Sequence, residues 1–163
     1  MSGLPAGARA VVVTASNRAS AGIYDDRSGQ LLADGLRELG FEVAGPHVRP
    51  DDAAQLTAVL REAVDSGADV VLTTGGTGLS PTDVTPEATR AVLEREAPGI
   101  AEAVRRYGST AVPTSVLSRG LAGTAGRTLI VNLPGSTGGV RDALAVLGPL
   151  LPHVVSQLRG GDH

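Results

Sequence analysis

The chain has 163 residues, a formal net charge of -3, no cysteine and no lysine among its 14 basic residues. The missing cysteine excludes disulfides and thiolate metal sites, and the missing lysine excludes a P-loop lysine and a Schiff base. The weak charge, with only one Phe and two Tyr, argues against a nucleic-acid partner.

A chain of this length buries enough surface for one real core, so residues 1–163 are expected to form a single domain. Residues 1–7 and 160–163 are predicted to be flexible tails. The sequence near Met1 lacks the layout of a signal peptide, and no apolar run approaches the roughly 20 residues of a membrane helix. We therefore expect a cytoplasmic protein without a membrane partner.

The first half of the chain alternates strand-like and helix-like segments. The aliphatic run RAVVVTAS, residues 9–16, is typical of a strand buried on both faces. A helix capped by Ser28 follows, and a more broken strand covers 41–48. Apolar residues three and four apart predict an amphipathic helix over 52–66, and DVVLTT, 69–74, is the next strand.

The second half continues the same alternation. A helix capped by Thr85 is expected to reach Glu96, and a second helix begins at Pro98. Residues 127–133 are predicted to form a strand, and one of the two prolines in LGPLLPH begins the last helix. This alternation predicts an α/β fold, with a three-layer, mostly parallel sheet and helices on both of its faces.

Three loops follow the predicted strands, at 16–29, 75–84 and 134–139, on the edge where such sheets bind ligands. The GGTG stretch lacks both the spacing of a dinucleotide fingerprint and the GK[ST] ending of a P-loop. Its backbone N–H groups, with the hydroxyls of Thr74 and Thr77, could form an anion-binding concavity. Alternatively, its glycines only permit positive φ angles.

Asp83 would be unfavourable beside a bound phosphate without a cation. Two unit charges about 4 Å apart repel by roughly 4 kcal/mol at an effective dielectric constant of 20. Either no phosphate binds there or a metal does, and Mg²⁺ suits one or two carboxylates combined with phosphates. A turn role before Thr85 is the alternative for Asp83. Asp51 or Asp52 must cap the 52–66 helix, which leaves one carboxylate over.

Several stretches together carry a resemblance to a known family. They are TTGGTGLSPTDVTPEATRAVLEREAPGIAEAVR, PTSVLSRGLAG and TLIVNLPGS, with TASNRASAG, DRSG and RPDD nearer the start. The chain resembles the MogA/MoaB family of molybdenum-cofactor biosynthesis proteins, which is related to the G domain of gephyrin. The similarity extends over nearly the whole sequence.

This resemblance implies a molybdopterin adenylyltransferase that moves AMP from ATP to the terminal phosphate of molybdopterin and releases pyrophosphate. It also implies Mg²⁺ as cofactor, a homo-oligomer (trimer or hexamer) and hand-over of the product to a molybdate-inserting enzyme. The alternative is a MoaB-type protein that binds or carries molybdopterin without catalysis.

The resemblance also implies roles for particular residues. Asp51 and Asp83 match the acidic positions of the family, so both are candidate catalytic residues and Mg²⁺ ligands. The candidate substrate- and nucleotide-binding residues lie on the strand-end loops and in the TSVLSRG stretch, and they are Ser16, Thr74, Gly75, Gly76, Thr77, Gly78, Ser118, Arg119, Asn132, Pro134, Gly135 and Ser136.

Overall fold

The computed structural model describes residues 3–162, so Met1, Ser2 and His163 of the predicted tails lie outside the described residues. Its strands are β1 (Arg9–Ala15), β2 (Glu42–Arg49), β3 (Val70–Thr74), β4 (Arg95–Glu96), β5 (Ala122–Ala125) and β6 (Thr128–Leu133). Its helices are α1 (Asn17–Ser20), α2 (Arg27–Glu38), α3 (Ala53–Asp65), α4 (Thr85–Arg90), α5 (Pro98–Ser109), α6 (Thr137–Leu147) and α7 (Leu151–Leu158), and a 3-10 helix covers Pro113–Leu117. Within residues 3–162, no helix is both long and apolar enough to cross a membrane.

The strands form one sheet in the order β2-β1-β3-β6-β5-β4. Strands β2, β1, β3 and β6 are parallel, and β5 runs antiparallel to both β6 and β4. The chain moves outward from β1 to β2 and then returns to the other side of β1 as β3. The carboxyl ends of β1 and β3 therefore flank the point where the strand order reverses, which is where open α/β sheets bind ligands.

Helices cover both faces of this sheet, because successive strand residues point to opposite sides. Val12 of β1 and Leu72 of β3 pack with α2, α5, α6 and α7 in one buried cluster. Val13 and Val71 pack with α3 and α4 in the other. Each fully buried aliphatic side chain contributes about 1.5–3 kcal/mol to folding. The predicted three-layer α/β fold with a mostly parallel sheet is confirmed.

The expected cap of α2 was wrong. Asp26, not Ser28, precedes the helix, and its carboxylate accepts a hydrogen bond from the Gly29 N–H at 2.9 Å. The second oxygen of the same carboxylate accepts from the Thr14 hydroxyl at 2.7 Å. The Ser28 hydroxyl is thereby free for another use, and it donates to the carbonyl oxygen of Gly135 at 2.6 Å.

The helix predicted to run from Thr85 to Glu96 is much shorter. It ends at Arg90, and Arg95–Glu96 instead pair with β5, a strand that the sequence pattern does not predict. Thr85 is also not a capping residue, since it lies inside the first turn, fully buried, with its hydroxyl donating to the Gly75 carbonyl. The helix at Pro98 and the start of the last helix around Pro152 are confirmed.

A charged cluster lies at the amino ends of β1 and β3, opposite the carboxyl ends of the same strands. Arg159 donates to both carboxylate oxygens of Asp69 at 2.9 Å and to the Ala6 carbonyl at 3.0 Å. Burial alone would raise the pKa of Asp69, but hydrogen bonds from Arg159 and from the Arg9 N–H, with both guanidinium charges, hold it below its usual value. The flexibility proposed for residues 1–7 and 160–163 stays a prediction.

Candidate ligand-binding site

Two open cavities lie side by side at the carboxyl ends of β1, β3 and β6. The first, of about 720 Å³, is lined by the loop after β1 and the start of α2. The second, of about 560 Å³, is lined by the glycine loop, the 3-10 helix and the loop after β6. Gly75 and Gly135 line both cavities. Each cavity has the size of a small-molecule pocket, so the carboxyl ends of these strands have room for two ligands side by side.

The first two glycines of GGTG are required by backbone shape and by close packing together. Gly75 has φ +94° and Gly76 has φ +70°, a region that other residues rarely adopt. A Cβ at Gly75 would collide with the Ala15 carbonyl oxygen, and one at Gly76 would collide with the Thr85 hydroxyl. The ideal Cβ position of Gly76 also lies 3.2 Å from Oδ1 of Asp51. The glycine loop therefore fits tightly against the end of β1 and against Asp51.

Hydroxyl groups hold the glycine loop and the loop after β6 in place through main-chain carbonyls. Thr74 donates to Pro134 at 2.6 Å, and Thr85 donates to Gly75 at 3.0 Å. Gly135 packs on Gly75, with its ideal Cβ position 3.2 Å from the Gly75 Cα. These contacts fix the backbone before any ligand arrives, which is what a site built on main-chain N–H groups needs.

Arg119 stabilises the glycine loop through hydrogen bonds. Its guanidinium donates to the carbonyls of Gly78 and Asp83, each at 2.8 Å, and to both oxygens of Glu87 at 2.8 and 3.2 Å. Its backbone N–H also donates to the Thr77 carbonyl at 2.8 Å. Most of its donors are therefore already used by protein acceptors. Pairing of Arg119 with a phosphate stays a prediction, and it would require the contact with Glu87 to open.

Asp83 has the turn role that the sequence left open, and its role as a Mg²⁺ ligand stays a prediction. Its Oδ2 accepts from the Ser80 N–H at 3.1 Å, and its own N–H donates to the Ser80 carbonyl at 2.9 Å, which closes a turn. The residue is half-buried and lines the second cavity. The turn thus sets the orientation of the carboxylate at the cavity wall.

The neighbouring acids Asp51 and Asp52 have different surroundings. Asp52 caps α3, since its carboxylate accepts from the Gln55 N–H at 2.9 Å. Asp51 is the carboxylate left over, and its Oδ1 is buried without a hydrogen-bond partner among residues 3–162. Burial raises the pKa of Asp51, the backbone N–H of Asn17 opposes this, and the charge of Asp83 raises it further. The charges of Asp51 and Asp83 therefore oppose each other.

This arrangement fits Mg²⁺ delivered with a phosphate ligand. Buried carboxylate oxygens normally have partners, so the orphaned Oδ1 of Asp51 calls for one. In the part of the chain that the structure describes, no group of three or more His, Cys, Asp or Glu side chains could hold a metal alone. Mg²⁺ needs only one or two carboxylates when phosphates and water complete its shell. Asp51 and Asp83 would be those carboxylates.

Asn132 was predicted to contact a substrate, and the structure places its side chain elsewhere. It is buried, its amide N–H₂ donates to the hydroxyls of Thr73 and Thr89 at 3.0 and 2.8 Å, and its Oδ1 accepts from the Leu121 N–H at 3.1 Å. The side chain therefore ties β6 to β3, to α4 and to Leu121, the residue before β5. Its contact with a substrate stays a prediction.

The three predicted serines lie at the cavities but also serve local structure. Ser16 caps α1 by accepting from the Ala19 N–H at 3.1 Å, and Ser136 caps α6 by accepting from the Gly139 N–H at 3.0 Å. Ser118 accepts from the Gly120 N–H at 3.2 Å. Ser16 lines the first cavity, whereas Ser118, Pro134 and Ser136 line the second. Their contact with substrate stays a prediction.

Two residues of the TASNRASAG segment and its continuation were missed as site residues. The Tyr24 hydroxyl lies 3.1 Å from the Ser16 hydroxyl, and the exposed Tyr24 ring lines the first cavity. Asn17 accepts a hydrogen bond from the Asp51 N–H through its side chain at 2.8 Å. The only available signal was their position in the first loop after a buried strand, which does not distinguish one polar residue from another.

These features define an α/β ligand-binding domain with two glycine-containing loops and an acid pair at the carboxyl edge of its sheet. A family model described as "Probable molybdopterin binding domain" matches residues 11–153. The chain belongs to this family, and the resemblance to MogA and MoaB is confirmed.

Individual relatives agree with this assignment. The chain is 37% identical over 152 residues to the molybdopterin adenylyltransferase of Helicobacter pylori strain J99, covering 91% of this chain and 86% of that protein. It is 35% identical over 155 residues to the molybdenum cofactor biosynthesis bifunctional protein of Chlorobaculum tepidum, covering 95% of this chain and 50% of that protein. It thus spans about half the length of that bifunctional relative. The solved structure of the molybdopterin biosynthesis Mog protein from Mycobacterium ulcerans superposes with a TM-score of 0.89 at 48% identity, covering 93% of this chain and 99% of that chain.

Proposed function

We propose that this protein is a molybdopterin adenylyltransferase, which transfers AMP from ATP to the terminal phosphate of molybdopterin in molybdenum-cofactor biosynthesis. The observation that carries the proposal is the buried, unpartnered Oδ1 of Asp51, held against the glycine loop and within electrostatic reach of Asp83. The relative from Helicobacter pylori that bears this activity in its name supports the proposal, because the match extends over most of both chains.

The proposed reaction joins two phosphate-bearing substrates. An oxygen of the molybdopterin phosphate attacks the α-phosphorus of ATP, the bond between the α-phosphorus and the bridging oxygen breaks, and pyrophosphate leaves. The two cavities meeting at Gly75 and Gly135 provide adjacent pockets for such a pair. Bringing the reacting groups together is a large part of the catalysis of phosphoryl-type transfer.

The chain supplies positioning and charge rather than a covalent nucleophile. Backbone N–H groups of the glycine loop, fixed by Thr74 and Thr85, would bind phosphate oxygens. Asp51 and Asp83 would hold Mg²⁺, which, when bound, neutralises phosphate charge in the transition state. Arg119 keeps the loop in place through Gly78 and Asp83. None of these roles requires lysine or cysteine.

The test is incubation of the purified chain with molybdopterin, ATP and Mg²⁺. We expect release of pyrophosphate together with formation of adenylylated molybdopterin, and no release when either substrate is left out. Calorimetry run in parallel measures molybdopterin binding. Binding of molybdopterin without pyrophosphate release would identify the chain as a non-catalytic carrier or scaffold, and the absence of both would contradict the family-based proposal.

The remaining parts of the proposal concern assembly and setting. We propose a homo-oligomer, a trimer or a hexamer, that acts in the cytoplasm and passes its product to a molybdate-inserting enzyme. Exposed apolar side chains at the 3-10 helix, Val112, Val116 and Leu117, support assembly because contact between copies would cover them. Light scattering at micromolar concentration should give at least three times the mass of one chain, and a monomer would rule this out.

A further inference from the structure

Asn17 joins the first loop of the site to the segment that carries Asp51. Its side-chain Oδ1 accepts from the Asp51 N–H at 2.8 Å, although the two residues are 34 positions apart. One residue earlier, the Ser16 N–H donates to the Arg49 carbonyl at 2.9 Å. Two consecutive residues of the loop are therefore bonded to the Arg49–Asp51 segment, on the side facing the end of β1.

The bond between Asn17 and the Asp51 N–H affects the Asp51 carboxylate, because the orientation of that side chain depends on its backbone. Among the described residues, no hydrogen bond holds its buried Oδ1 in place. The following residue, Asp52, is fixed by its capping bond to Gln55, and the Asp51 N–H is fixed by Asn17. These two contacts hold the main chain on both sides of the Asp51 Cα. The carboxylate they hold has its Oδ1 3.2 Å from the ideal Cβ position of Gly76, in the glycine loop.

Asn17 does this work without lying in the metal's own shell. The side-chain oxygen of Asn17 accepts from the Asp51 N–H. Asn17 itself is exposed at the start of α1. Groups that orient a metal ligand in this way typically change metal affinity by about 10–100-fold when they are removed.

We propose that Asn17 is a positioning residue for Asp51: its side-chain amide fixes the Asp51 main chain so that the carboxylate faces the divalent cation of the bound nucleotide. This inference rests on the proposed function, since it assumes that Asp51 and Asp83 receive a metal with ATP. It adds to the candidate metal site a residue from the loop after β1, which is bonded directly to the Asp51 main chain.

The test measures metal-dependent ATP binding without turnover. Titration calorimetry gives the dissociation constant of ATP with Mn²⁺ and, separately, of ATP in EDTA, in the absence of molybdopterin. The electron paramagnetic resonance signal of free Mn²⁺ gives the bound metal directly. Three variants are compared with the wild type: Asn17→Ala removes the acceptor, Asn17→Asp keeps an acceptor oxygen, and Ser20→Ala is the matched control in α1. Ser20 is exposed, and among the described residues its hydroxyl donates only to the Asn17 carbonyl.

We expect Asn17→Ala to weaken Mn²⁺-dependent ATP binding about tenfold while ATP binding in EDTA and the melting temperature change little. Asn17→Asp should restore binding to within about threefold of wild type, or tighten it through its added negative charge, and Ser20→Ala should match the wild type.

The contrary outcomes separate this inference from the proposed function. If Asn17→Ala keeps wild-type Mn²⁺·ATP affinity, or weakens ATP binding equally with and without metal, Asn17 does not position Asp51 and the proposed function is unaffected. If the wild type binds ATP no more tightly with Mn²⁺ than in EDTA, the metal site itself is absent. In that case the inference fails together with the metal role of Asp51 and Asp83.

Discussion

Replacing Asp51 and Asp52 separately by Asn tests the different roles that the structure gives to two adjacent carboxylates. The substitution is the same at neighbouring positions, so each variant is the control for the other. The Asp51→Asn change removes the charge of a carboxylate whose buried Oδ1 has no partner in the described chain. The Asp52→Asn change affects a capping oxygen that an amide replaces well, because Asn and Asp are equally good at this position.

For activity, we expect Asp51→Asn to lower the rate of pyrophosphate release at least about 10²-fold. This corresponds to roughly 2.7 kcal/mol of transition-state stabilisation, the size typical of one lost electrostatic group. Asp52→Asn should stay within about threefold of wild type. The assay is continuous detection of pyrophosphate at saturating ATP, molybdopterin and Mg²⁺.

For stability, we expect the opposite ranking: Asp52→Asn should be affected more than Asp51→Asn. Burial raises the pKa of Asp51 in the folded protein above the ordinary value of 3.8, so the folded protein binds that proton more tightly and loses stability as pH rises above about 3.8. Removing the ionised carboxylate should therefore leave the melting temperature at pH 7 equal to wild type or higher. Asp52→Asn loses a favourable charge at a helix start, about 0.3–1 kcal/mol, which lowers the melting temperature by about 1–3 °C.

A single pattern supports the assignment, namely an inactive but stable Asp51→Asn and an active, slightly less stable Asp52→Asn. Equal loss of activity in both variants would show that the start of α3, rather than one carboxylate, is needed. Near-wild-type activity of Asp51→Asn would remove Asp51 from the site.

Three further predictions concern the second acid, the metal and the opposite edge of the sheet. Asp83→Asn should lower pyrophosphate release about 10²-fold yet keep molybdopterin binding and the fold, since the amide oxygen can still accept from Ser80; a collapse of the melting temperature would show a purely structural role. Excess EDTA should abolish turnover and added Mg²⁺ restore it, whereas full activity in EDTA would contradict the metal role of both acids. Asp69→Asn should lower stability by about 1.5–3 kcal/mol at pH 7, because Arg159 loses its charged acceptor. Since the pKa of Asp69 is lowered in the folded state, the difference from wild type in denaturant titrations should shrink as pH falls below about 3.8, and a difference independent of pH would refute this account.

The fold was largely predictable because its signals are strong and local. The aliphatic runs that became β1, β3 and β6 are fully or almost fully buried, so their composition reflects their environment. β5 was missed because its sequence, AGTA, contains only small residues and has neither alternation nor bulk. The end of α4 at Arg90 was missed for a related reason. The pairing of Arg95–Glu96 with β5 overrides the local helical pattern, and no local signal reports a long-range pairing.

The candidate site was predictable as a region but not residue by residue. The loops at strand ends were located correctly, since this follows from topology. Which polar side chain faces a ligand and which one supports the backbone depends on partners far away in sequence. Asn132 reaches Thr73 and Thr89, and Arg119 reaches Gly78 and Glu87, across separations of 32 to 59 residues that pattern alone does not reveal. The choice between Asp51 and Asp52 similarly required the observed cap.

The bond from Arg159 to the Ala6 carbonyl brings the first and last elements of the domain together at the edge opposite the ligand cavities. A polypeptide attached before residue 6 or after residue 159 would therefore leave from the same corner, away from the incoming substrates. The fold can thus be inserted into, or appended to, a longer protein as a module whose working surface stays open. The bifunctional relative of Chlorobaculum tepidum, of which this chain matches half, has the size that such modular use would give.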